Sequence, residues 1–449
     1  MVANGKKVDL MIRNASVLTP EMNVKVNQCV VIDHSNILEI GDDELISLSY
    51  EARETLNAEG KLVMPGMIDA HMHTCQQLIR GRITDEYPMI WTRIMVPYES
   101  NLREEDVKTS AELSFLEMIK SGTTGFIDAG GTYMHKVAQS AIQSGIRGAI
   151  TCSTMDSGEG IPESMKKSTE ENIRINKELY QNFHGAGDGR LDVWFSLRSI
   201  ISCSPSLIQS TFEVANELGT GVQTHMNEYP NEVRYCLEKY QKRPFEFLAS
   251  LNILDVNFLA AHGILLSENE MDIIKDHDIK IAHCPTSNSG KGFTKTPSLL
   301  HKGVGVALGT DGAGHTGLNL FDQMKVLKSL MRAFWGVSIF DPKILPSAKI
   351  LEMATLGGAK ALMRDDILGT LEVGKKADMI LVNIDQPHIE PTHNLIHTLI
   401  DSCNHQDVKD VIVDGKIVMK NREVLTMDEE RIKYESKKQM KEIAVRASL

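Results

Sequence analysis

Short apolar segments alternate with longer amphipathic stretches through the middle of the chain, from residue 63 to residue 312. The amphipathic stretches, such as REEDVKTSAELSFLEMIKSG and SLIQSTFEVANELGT, have helical apolar spacing and end at Gly. The short segments favour buried strands. The pattern predicts eight strands, in the segments VMPGMIDAHMH, GTTGFIDAG, RGAITCSTM, LDVWFSLRSI, GVQTHMNE, VNFLAAHG, KIAHCPTSN and GVALGTDG.

Eight strand–helix units over about 250 residues are typical of a (β/α)8 barrel. A doubly wound open sheet is the main alternative, but no GxGxxG turn follows the first strand. Both ends of the chain have a different pattern, in which short alternating strands are separated by Asn, Asp and Gly. Asp414-Gly415 is a hairpin signal there, and the charged stretch after residue 426 has a helical pattern.

Composition narrows the class of protein. Of the 449 residues 42% are hydrophobic and 24% charged, as in ordinary globular proteins. The net charge of −12 argues against a nucleic-acid surface. We expect no membrane span, since no apolar run approaches ~20 residues, and no signal peptide. Seven scattered Cys without a CxxC pair predict reduced thiols and a cytoplasmic protein.

Metal-competent residues lie at the carboxyl ends of the predicted strands, where barrel active sites form. His71 and His73 are two residues apart in strand one, so both imidazoles can face one point. His225 ends strand five and Asp311 ends strand eight. Each of these signals is weak alone, since an Asp before Gly is usually part of a turn or a helix cap. Their coincidence on one face of the barrel is a stronger signal. We predict His71, His73, His225 and Asp311 as metal ligands.

Three imidazoles and a carboxylate suit Zn²⁺, with Fe²⁺ or Mn²⁺ as alternatives. A bound ion lowers the pKa of water from near 16 to roughly 7. Glu228, three residues beyond His225, is the predicted proton carrier to a ring nitrogen. Asp311 could also take a proton from the water. His262 could polarise an oxyanion, although a lone His there is more often a core residue.

At these residues the chain resembles the amidohydrolase superfamily, in its triazine-hydrolase and purine-deaminase branch. The matching stretches are PGMIDAHMH, HMNE, AAHG, HCPTSN, LGTDG and LGTLEVGKKADMILVN. The resemblance implies the ligand set above and the roles given to Glu228, His262 and Asp311. It also implies a small β-sandwich from residues 1–62 and 376–449 beside a catalytic barrel from residues 63–375. Two-metal barrel hydrolases carry a modified Lys on strand four; LDVWFSLRSI has none, so we expect one metal.

Within that branch the chain is most similar to methylthioadenosine/S-adenosylhomocysteine deaminases, as QQLIRG, MVPYE, EMIKSGTTGF and LGTDGAGHTGLNLFDQM indicate. The resemblance implies that Glu99 binds ribose hydroxyls. The sequence departs from the group at three positions. Arg198 replaces a His that contacts the purine, and Cys152 and Ser168 replace two arginines for the substrate tail.

Gln76 and Arg198 occupy positions that match guanine deaminases. An amide and a guanidinium fork suit the carbonyl and ring nitrogens of an oxo-purine or pterin. The alternative interpretation is that Gln76 holds its loop and Arg198 pairs with a carboxylate. His315, near Asp311, either contacts substrate or is a solvated loop residue.

The leading hypothesis is an aminohydrolase that replaces the exocyclic amine of an N-heterocycle, a purine or an adenosine-type nucleoside, with oxygen. Deamination of guanine, an oxo-purine or a pterin is one enzymatic alternative, and hydrolysis of a chlorinated or aminated triazine is another. A catalytically inactive scaffold and a cyclic-amide hydrolase are disfavoured, the first by the complete ligand set and the second by the missing Lys. We expect a small heterocycle and water as partners, and the apolar stretch LMRAFWGVSIF could serve a homo-oligomer interface or the cavity rim.

Overall fold

The computed structural model describes residues 5–86 and 90–449. Nearly all the strands fall in the segments that the hydropathy pattern indicates. They are β1 (Lys6–Leu18), β2 (Val24–Asp33), β3 (Asn36–Asp42), β4 (Tyr50–Asn57), β5 (Lys61–Pro65), β6 (Met67–Met72), β7 (Thr123–Asp128), β8 (Arg147–Ile150), β9 (Leu191–Val193), β10 (Phe195–Ser199), β11 (Val222–Met226), β12 (Phe258–His262), β13 (Lys280–His283), β14 (Val306–Leu308), β15 (Met379–Asn383), β16 (Val408–Val413), β17 (Lys416–Lys420) and β18 (Glu423–Val424).

The α-helices lie mainly between the parallel strands and after the last of them. They are α1 (Asp43–Ile46), α2 (Val96–Ser100), α3 (Glu104–Lys120), α4 (Met134–Ser144), α5 (Thr169–Phe183), α6 (Ala186–Gly189), α7 (Pro205–Glu217), α8 (Pro230–Tyr240), α9 (Pro244–Ser250), α10 (Glu268–Asp276), α11 (Pro285–Asn288), α12 (Thr296–His301), α13 (Leu320–Leu330), α14 (Ser347–Ala354), α15 (Leu356–Ala361), α16 (Leu395–Asp401) and α17 (Glu429–Arg446). Short 3₁₀ or π turns cover Thr74–Ile79, Trp91–Met95, Glu163–Met165, Ile200–Ser202, Met331–Gly336 and His405–Asp407.

Local sequence explains where many helices begin. Ser267 accepts a hydrogen bond from the backbone N–H of Glu270, and the Glu270 side chain accepts one from the Ser267 N–H. This reciprocal pair is a capping box, which satisfies two donors at the start of α10. Ser204 caps α7 by accepting a hydrogen bond from the Leu207 N–H, and Pro205 at the first helical position has no N–H to leave unpaired.

The parallel strands form two sheets, and the chain passes from the first to the second within residues 191–199. The first has the order β6-β7-β8-β9 and the second β10-β11-β12-β13-β14. The predicted fourth strand is interrupted at Trp194, whose N–H donates to Ile150 on one side, while the next residue, Phe195, donates to Gly221 on the other. Gly221 is required there, because a Cβ would lie 2.5 Å from the Trp194 ring.

The outer strands of the two parallel sheets also meet. Asp311, just after β14, donates its backbone N–H to the carbonyl of His71 at 2.8 Å, and Met72 and Asp311 form a parallel bridge. The ends of β6 and β14 therefore lie side by side, at the edge where the polar residues predicted to bind metal are located.

The two ends of the chain come together in a nine-stranded mixed sheet, with the order β18-β17-β16-β15-β5-β1-β2-β3 and β4 paired to β1. The predicted hairpin turn joins β16 to β17, and Asp414 and Gly415 both have positive φ, 53° and 76°, as a type I′ turn requires. The predicted C-terminal helix is α17, which packs on α3 and pairs Arg431 with Glu112.

A buried ion-pair network joins this mixed sheet to the parallel strands. Arg147 at the start of β8 donates to Asp378 at 2.7 Å and to Asp414 at 3.0 Å, and all three side chains are at most 6% exposed. Buried charges need partners of this kind, so the network fixes the relative placement of the two sheets. The seven cysteines are all buried and unbridged. Within residues 5–86 and 90–449 no helix has the length and apolar character that a bilayer crossing requires.

Candidate active site

Four histidines and one aspartate converge where the parallel strands end. His71 lies in β6 and His73 directly after it, His225 lies in β11, and β12 ends at His262. Asp311 follows β14. None of these side chains is more than 9% exposed as a residue. His262 and Asp311 have φ of 74° and 64°, a backbone conformation that non-glycine residues adopt rarely and that is common at functional sites.

The nitrogen and oxygen atoms of this cluster are spaced as a metal site requires. His73 Nε2 is 3.3 Å from His225 Nε2 and 3.4 Å from Asp311 Oδ1, and His71 Nε2 is 3.7 Å from the same oxygen. Ligand atoms about 2.0–2.1 Å from a tetrahedral zinc ion lie about 3.3 Å apart. The observed spacing therefore fits one divalent ion at the centre of these residues.

Unpartnered nitrogens point to the same conclusion. His71 Nε2 and His262 Nε2 are buried and have no hydrogen-bond partner among the described residues. Burial lowers the pKa of His71 and of His225 well below the ordinary value, so both rings are neutral and can ligate at neutral pH. The ligand atoms of His71, His225 and His262 lie within 4.8 Å of one another, and so do those of His71, His73 and Asp311.

Asp69 fixes the two chain segments that carry His71 and Asp311. Its Oδ1 accepts the backbone N–H of His71 at 3.2 Å and of Thr310 at 3.1 Å, and its Oδ2 accepts the Thr310 hydroxyl at 2.5 Å. Burial raises the pKa of Asp69 to about 7, although these hydrogen bonds act to lower it. Sequence reasoning missed this residue, although its position two before His71 places it on the same strand face.

His262 is oriented by Asn288. The amide oxygen of Asn288 lies 2.9 Å from His262 Nδ1, and the Asn288 amide nitrogen donates to Thr294 Oγ1 at 3.3 Å. Because the Asn oxygen can only accept, Nδ1 of His262 carries the proton. The other ring nitrogen, Nε2, faces Glu228 at 3.7 Å from Oε2.

Glu228 lies beside His262, as the predicted proton carrier should. Its other oxygen, Oε1, accepts from Lys291 Nζ at 2.6 Å. Burial raises the pKa of Glu228, but nearby positive charge, including that of Lys291 Nζ, outweighs this effect and holds the pKa below the ordinary value. Glu228 is therefore a carboxylate at neutral pH and must accept a proton before it can donate one.

Three of the four residues predicted to bind substrate form one hydrogen-bonded group, and the fourth, Glu228, lies outside it. Glu99 Oε1 accepts from Gln76 Nε2 at 2.8 Å and from Arg198 Nη2 at 3.3 Å. Arg198 Nη1 is buried and has no hydrogen-bond partner within the described part of the chain. A Cβ on Gly312 would lie 1.9 Å from the Gln76 amide oxygen. Glycine at 312 therefore leaves the space that the Gln76 side chain occupies beside Asp311.

Glu99 is one of the residues that line a cavity of about 600 Å³. Its wall includes Cys152 and Met155 after β8, and Asn176 and Phe183 of α5. Cys152 therefore contributes to the cavity.

Ser168 instead caps α5 by accepting from the Glu171 N–H. His315 lies on the loop after Asp311, and burial lowers its pKa.

The chain belongs to the Amidohydrolase family, whose sequence profile matches residues 62–418. The resemblance drawn from the motifs is thereby confirmed. The matched range begins in β5 and ends in β17, so it includes every strand that contributes to the histidine and aspartate cluster.

Full-length relatives give the same result. The chain is 34% identical over 446 residues to a 5-methylthioadenosine/S-adenosylhomocysteine deaminase of Thermoanaerobacter pseudethanolicus, which covers 98% of this chain and 100% of that protein. It is also 34% identical over 447 residues to a 5′-deoxyadenosine deaminase of Methanosarcina acetivorans, with 98% and 99% covered. A zinc-bound adenosine deaminase of Xanthomonas campestris superimposes with a TM-score of 0.91 at 26% identity, over 98% of this chain and 100% of that one.

Proposed function

We propose that this protein is a metal-dependent hydrolytic deaminase of adenosine-type nucleosides. The observation that carries the proposal is the convergence of three imidazoles and Asp311, with Glu228 held beside them. The relatives named above act on adenosine derivatives by their names, and they span the whole length of this chain.

We propose that the parallel strands close into a (β/α)8 barrel over residues 63–375. The hydrogen bond from the Asp311 N–H to His71 and the continuity through Trp194 support closure. The remaining segments, residues 1–62 and 376–449, would then form the small β-sandwich beside it, which the mixed sheet of the two chain ends supports.

We propose one ion, with His71, His73, His225 and Asp311 as its ligands. The spacing of their atoms and the zinc in the Xanthomonas structure favour zinc. When bound, such an ion would polarise water and increase its nucleophilicity at neutral pH. The LDVWFSLRSI segment supplies no lysine for a second ion.

The protein's own side chains would manage the protons of the reaction. Water adds to the ring carbon that bears the amine, the new C–O bond forms, and the C–N bond then breaks to release ammonia. Glu228, as a carboxylate, would accept a proton from the water and deliver it to the adjacent ring nitrogen. His262 Nε2, with its lone pair facing the site, would accept a hydrogen bond from the attacking oxygen, and Asp311 would take the second proton for the departing amine.

Substrate binding is proposed for Glu99, Gln76 and Arg198. Glu99 would accept hydrogen bonds from ribose hydroxyls, since its carboxylate borders the cavity. A space of about 600 Å³ exceeds what a bare base needs and suits a nucleoside with a 5′ substituent. Cys152 and Met155 supply an uncharged wall there.

Deamination of an oxo-purine is a second candidate, favoured by one observation. Arg198 Nη1 is a buried donor that lacks a hydrogen-bond partner among the described residues, and a carbonyl or ring nitrogen acceptor on the substrate would satisfy it. Gln76 and Arg198 both donate to Glu99, however, which favours a role in holding that carboxylate.

The test is an ammonia-release screen with zinc-loaded protein. The panel contains adenosine, 5′-deoxyadenosine, methylthioadenosine, S-adenosylhomocysteine, adenine, guanine, a pterin and an aminotriazine. We expect turnover of the nucleosides and little of the free bases. Turnover of guanine or the pterin in preference to every nucleoside would replace the leading proposal with the second, and turnover of the triazine alone would contradict both.

A further inference from the structure

Lys291 is a buried cation that the reaction as described above does not use. It lies on the loop between α11 and α12, and its side chain is 6% exposed. Its Nζ is 2.6 Å from Glu228 Oε1 and 5.0 Å from the centre of the Tyr229 ring. The ion pair and the cation–π contact together compensate for the cost of burying the ammonium group.

The loop that carries Lys291 is fixed to the strand ends. Lys291 donates its backbone N–H to Asn288 at 2.9 Å, and the Thr294 hydroxyl donates to the carbonyl of His262. Asn288 on the same segment orients the His262 ring. One short segment therefore holds two residues of the proposed reaction, His262 through Asn288 and Glu228 through Lys291.

The two oxygens of Glu228 have different surroundings. Oε1 is bound by Lys291, whereas Oε2 faces His262 Nε2 at 3.7 Å, beyond hydrogen-bond distance. The backbone N–H of Glu228 donates to Glu232 at 3.1 Å, which fixes the main chain but not the carboxylate. Among the described residues, Lys291 is thus the only one that donates a hydrogen bond to this carboxylate.

We propose that Lys291 is a positioning residue for the deamination: by binding Oε1 it fixes the Glu228 carboxylate so that Oε2 is the oxygen presented to the substrate. The proposal rests on the proposed function, because it assigns Lys291 to a reaction in which Glu228 carries the proton. Without the ammonium group the carboxylate can rotate, and the proton-carrying oxygen is no longer held in one place. A reacting group displaced by about 1 Å can lose on the order of 100-fold in rate.

The kinetic test compares Lys291→Met, Lys291→Arg and Lys295→Met in the zinc-loaded protein. Lys295 is the matched control, since it lies on the same loop and donates to the Leu266 carbonyl at 3.1 Å. We expect Lys291→Met to lower kcat by roughly 10–100-fold, as loss of a supporting partner does, with KM changed by less than about threefold. Lys291→Arg should recover most of the loss, and Lys295→Met should retain wild-type kcat. Equal losses in Lys291→Met and Lys295→Met would overturn the proposal.

A double-mutant cycle tests whether Lys291 acts through Glu228. If it does, Lys291→Met should cost almost nothing further in a Glu228→Gln background. Independent, additive losses would contradict the proposal, because Lys291 would then act on something else. Metal content, measured for each variant, should stay at the wild-type value.

Crystal structures of wild type and Lys291→Met separate this proposal from the proposed function. We expect the Glu228 carboxylate to leave its position, or to occupy two, in the variant. An unchanged carboxylate in Lys291→Met would overturn the positioning role whether or not the wild type deaminates any nucleoside. If the screen finds no deamination but the carboxylate moves, the proposed function fails while the structural role of Lys291 stands.

Discussion

Asp69 accepts two hydrogen bonds from Thr310, one from its backbone N–H at 3.1 Å and one from its hydroxyl at 2.5 Å. The two residues are 241 positions apart in the sequence. Through Thr310, the carboxylate ties the end of β6 to the segment that carries Asp311. The geometry of the proposed metal site therefore depends on a residue outside the proposed ligand set.

Asp69→Asn should weaken the site without emptying it. An amide offers one acceptor oxygen in place of two, so at least one of the Thr310 bonds is lost. We expect a loss of about 1–3 kcal/mol in the free energy of unfolding and roughly 10–100-fold in metal affinity. Urea unfolding and a competitive chelator titration measure the two quantities. Asp385→Asn, on an exposed loop, is the control and should leave both unchanged.

His225→Ala should remove metal and activity together. Its Nε2 lies 3.3 Å from that of His73, so one edge of the proposed ligand set is lost. Elemental analysis of the purified variant should find far less than one ion per chain, and exhaustive chelation of wild type should abolish turnover until zinc is restored. A variant that retains one tightly bound ion would show that His225 is not a ligand.

Glu228→Gln should separate metal binding from catalysis. The amide keeps the size of the side chain and its hydrogen bond to Lys291, but it cannot carry a proton. We expect kcat to fall by roughly 10²–10⁴-fold, the usual contribution of a positioned proton carrier, while metal content stays at the wild-type value. Normal turnover in this variant would exclude Glu228 as the proton carrier.

Glu99→Gln should affect nucleosides and spare free bases. A hydrogen bond between ribose and a carboxylate contributes about 1.5–3 kcal/mol, so kcat/KM for adenosine should fall by roughly 10–100-fold. Whatever slow turnover of adenine the wild type shows should change far less. If both substrates lose equally, Glu99 supports Gln76 and Arg198 rather than ribose.

His283 should make stability depend on pH below neutrality. Burial lowers its pKa to about 3, whereas an unfolded histidine titrates near 6.5. Between these values the unfolded chain binds one more proton, so stability falls as pH decreases, by about 1.4 kcal/mol per pH unit. The measurement is urea unfolding of metal-free wild type and His283→Asn at pH 7.5, 6 and 5. The unfolding free energy should depend less steeply on pH in the variant, by the contribution of about one proton. The exposed His301→Asn is the control, and an equal slope change there would contradict the assignment to His283.

The hydropathy pattern predicted the parallel strands well because buried strands between amphipathic helices leave a regular signal. It did not predict the interruption of the fourth strand at Trp194, because that depends on which neighbour each half of the strand pairs with. The resemblance to known deaminases indicated Gln76, Glu99 and Arg198 one at a time, and their mutual hydrogen bonds emerged only from the fold.

The amino-acid order by itself determined which residues end the strands, since side-chain direction alternates with a period of two and His71 and His73 must share a face. The sequence also places Glu228 three residues after His225, just beyond the end of that strand. Only the tertiary structure decided that Lys291 binds Glu228, that Asn288 orients His262 and that Asp69 holds Thr310. These contacts join loops and strand ends that lie 26 to 241 positions apart. Loop conformation is set by packing against the rest of the molecule, and no periodicity in the sequence encodes it.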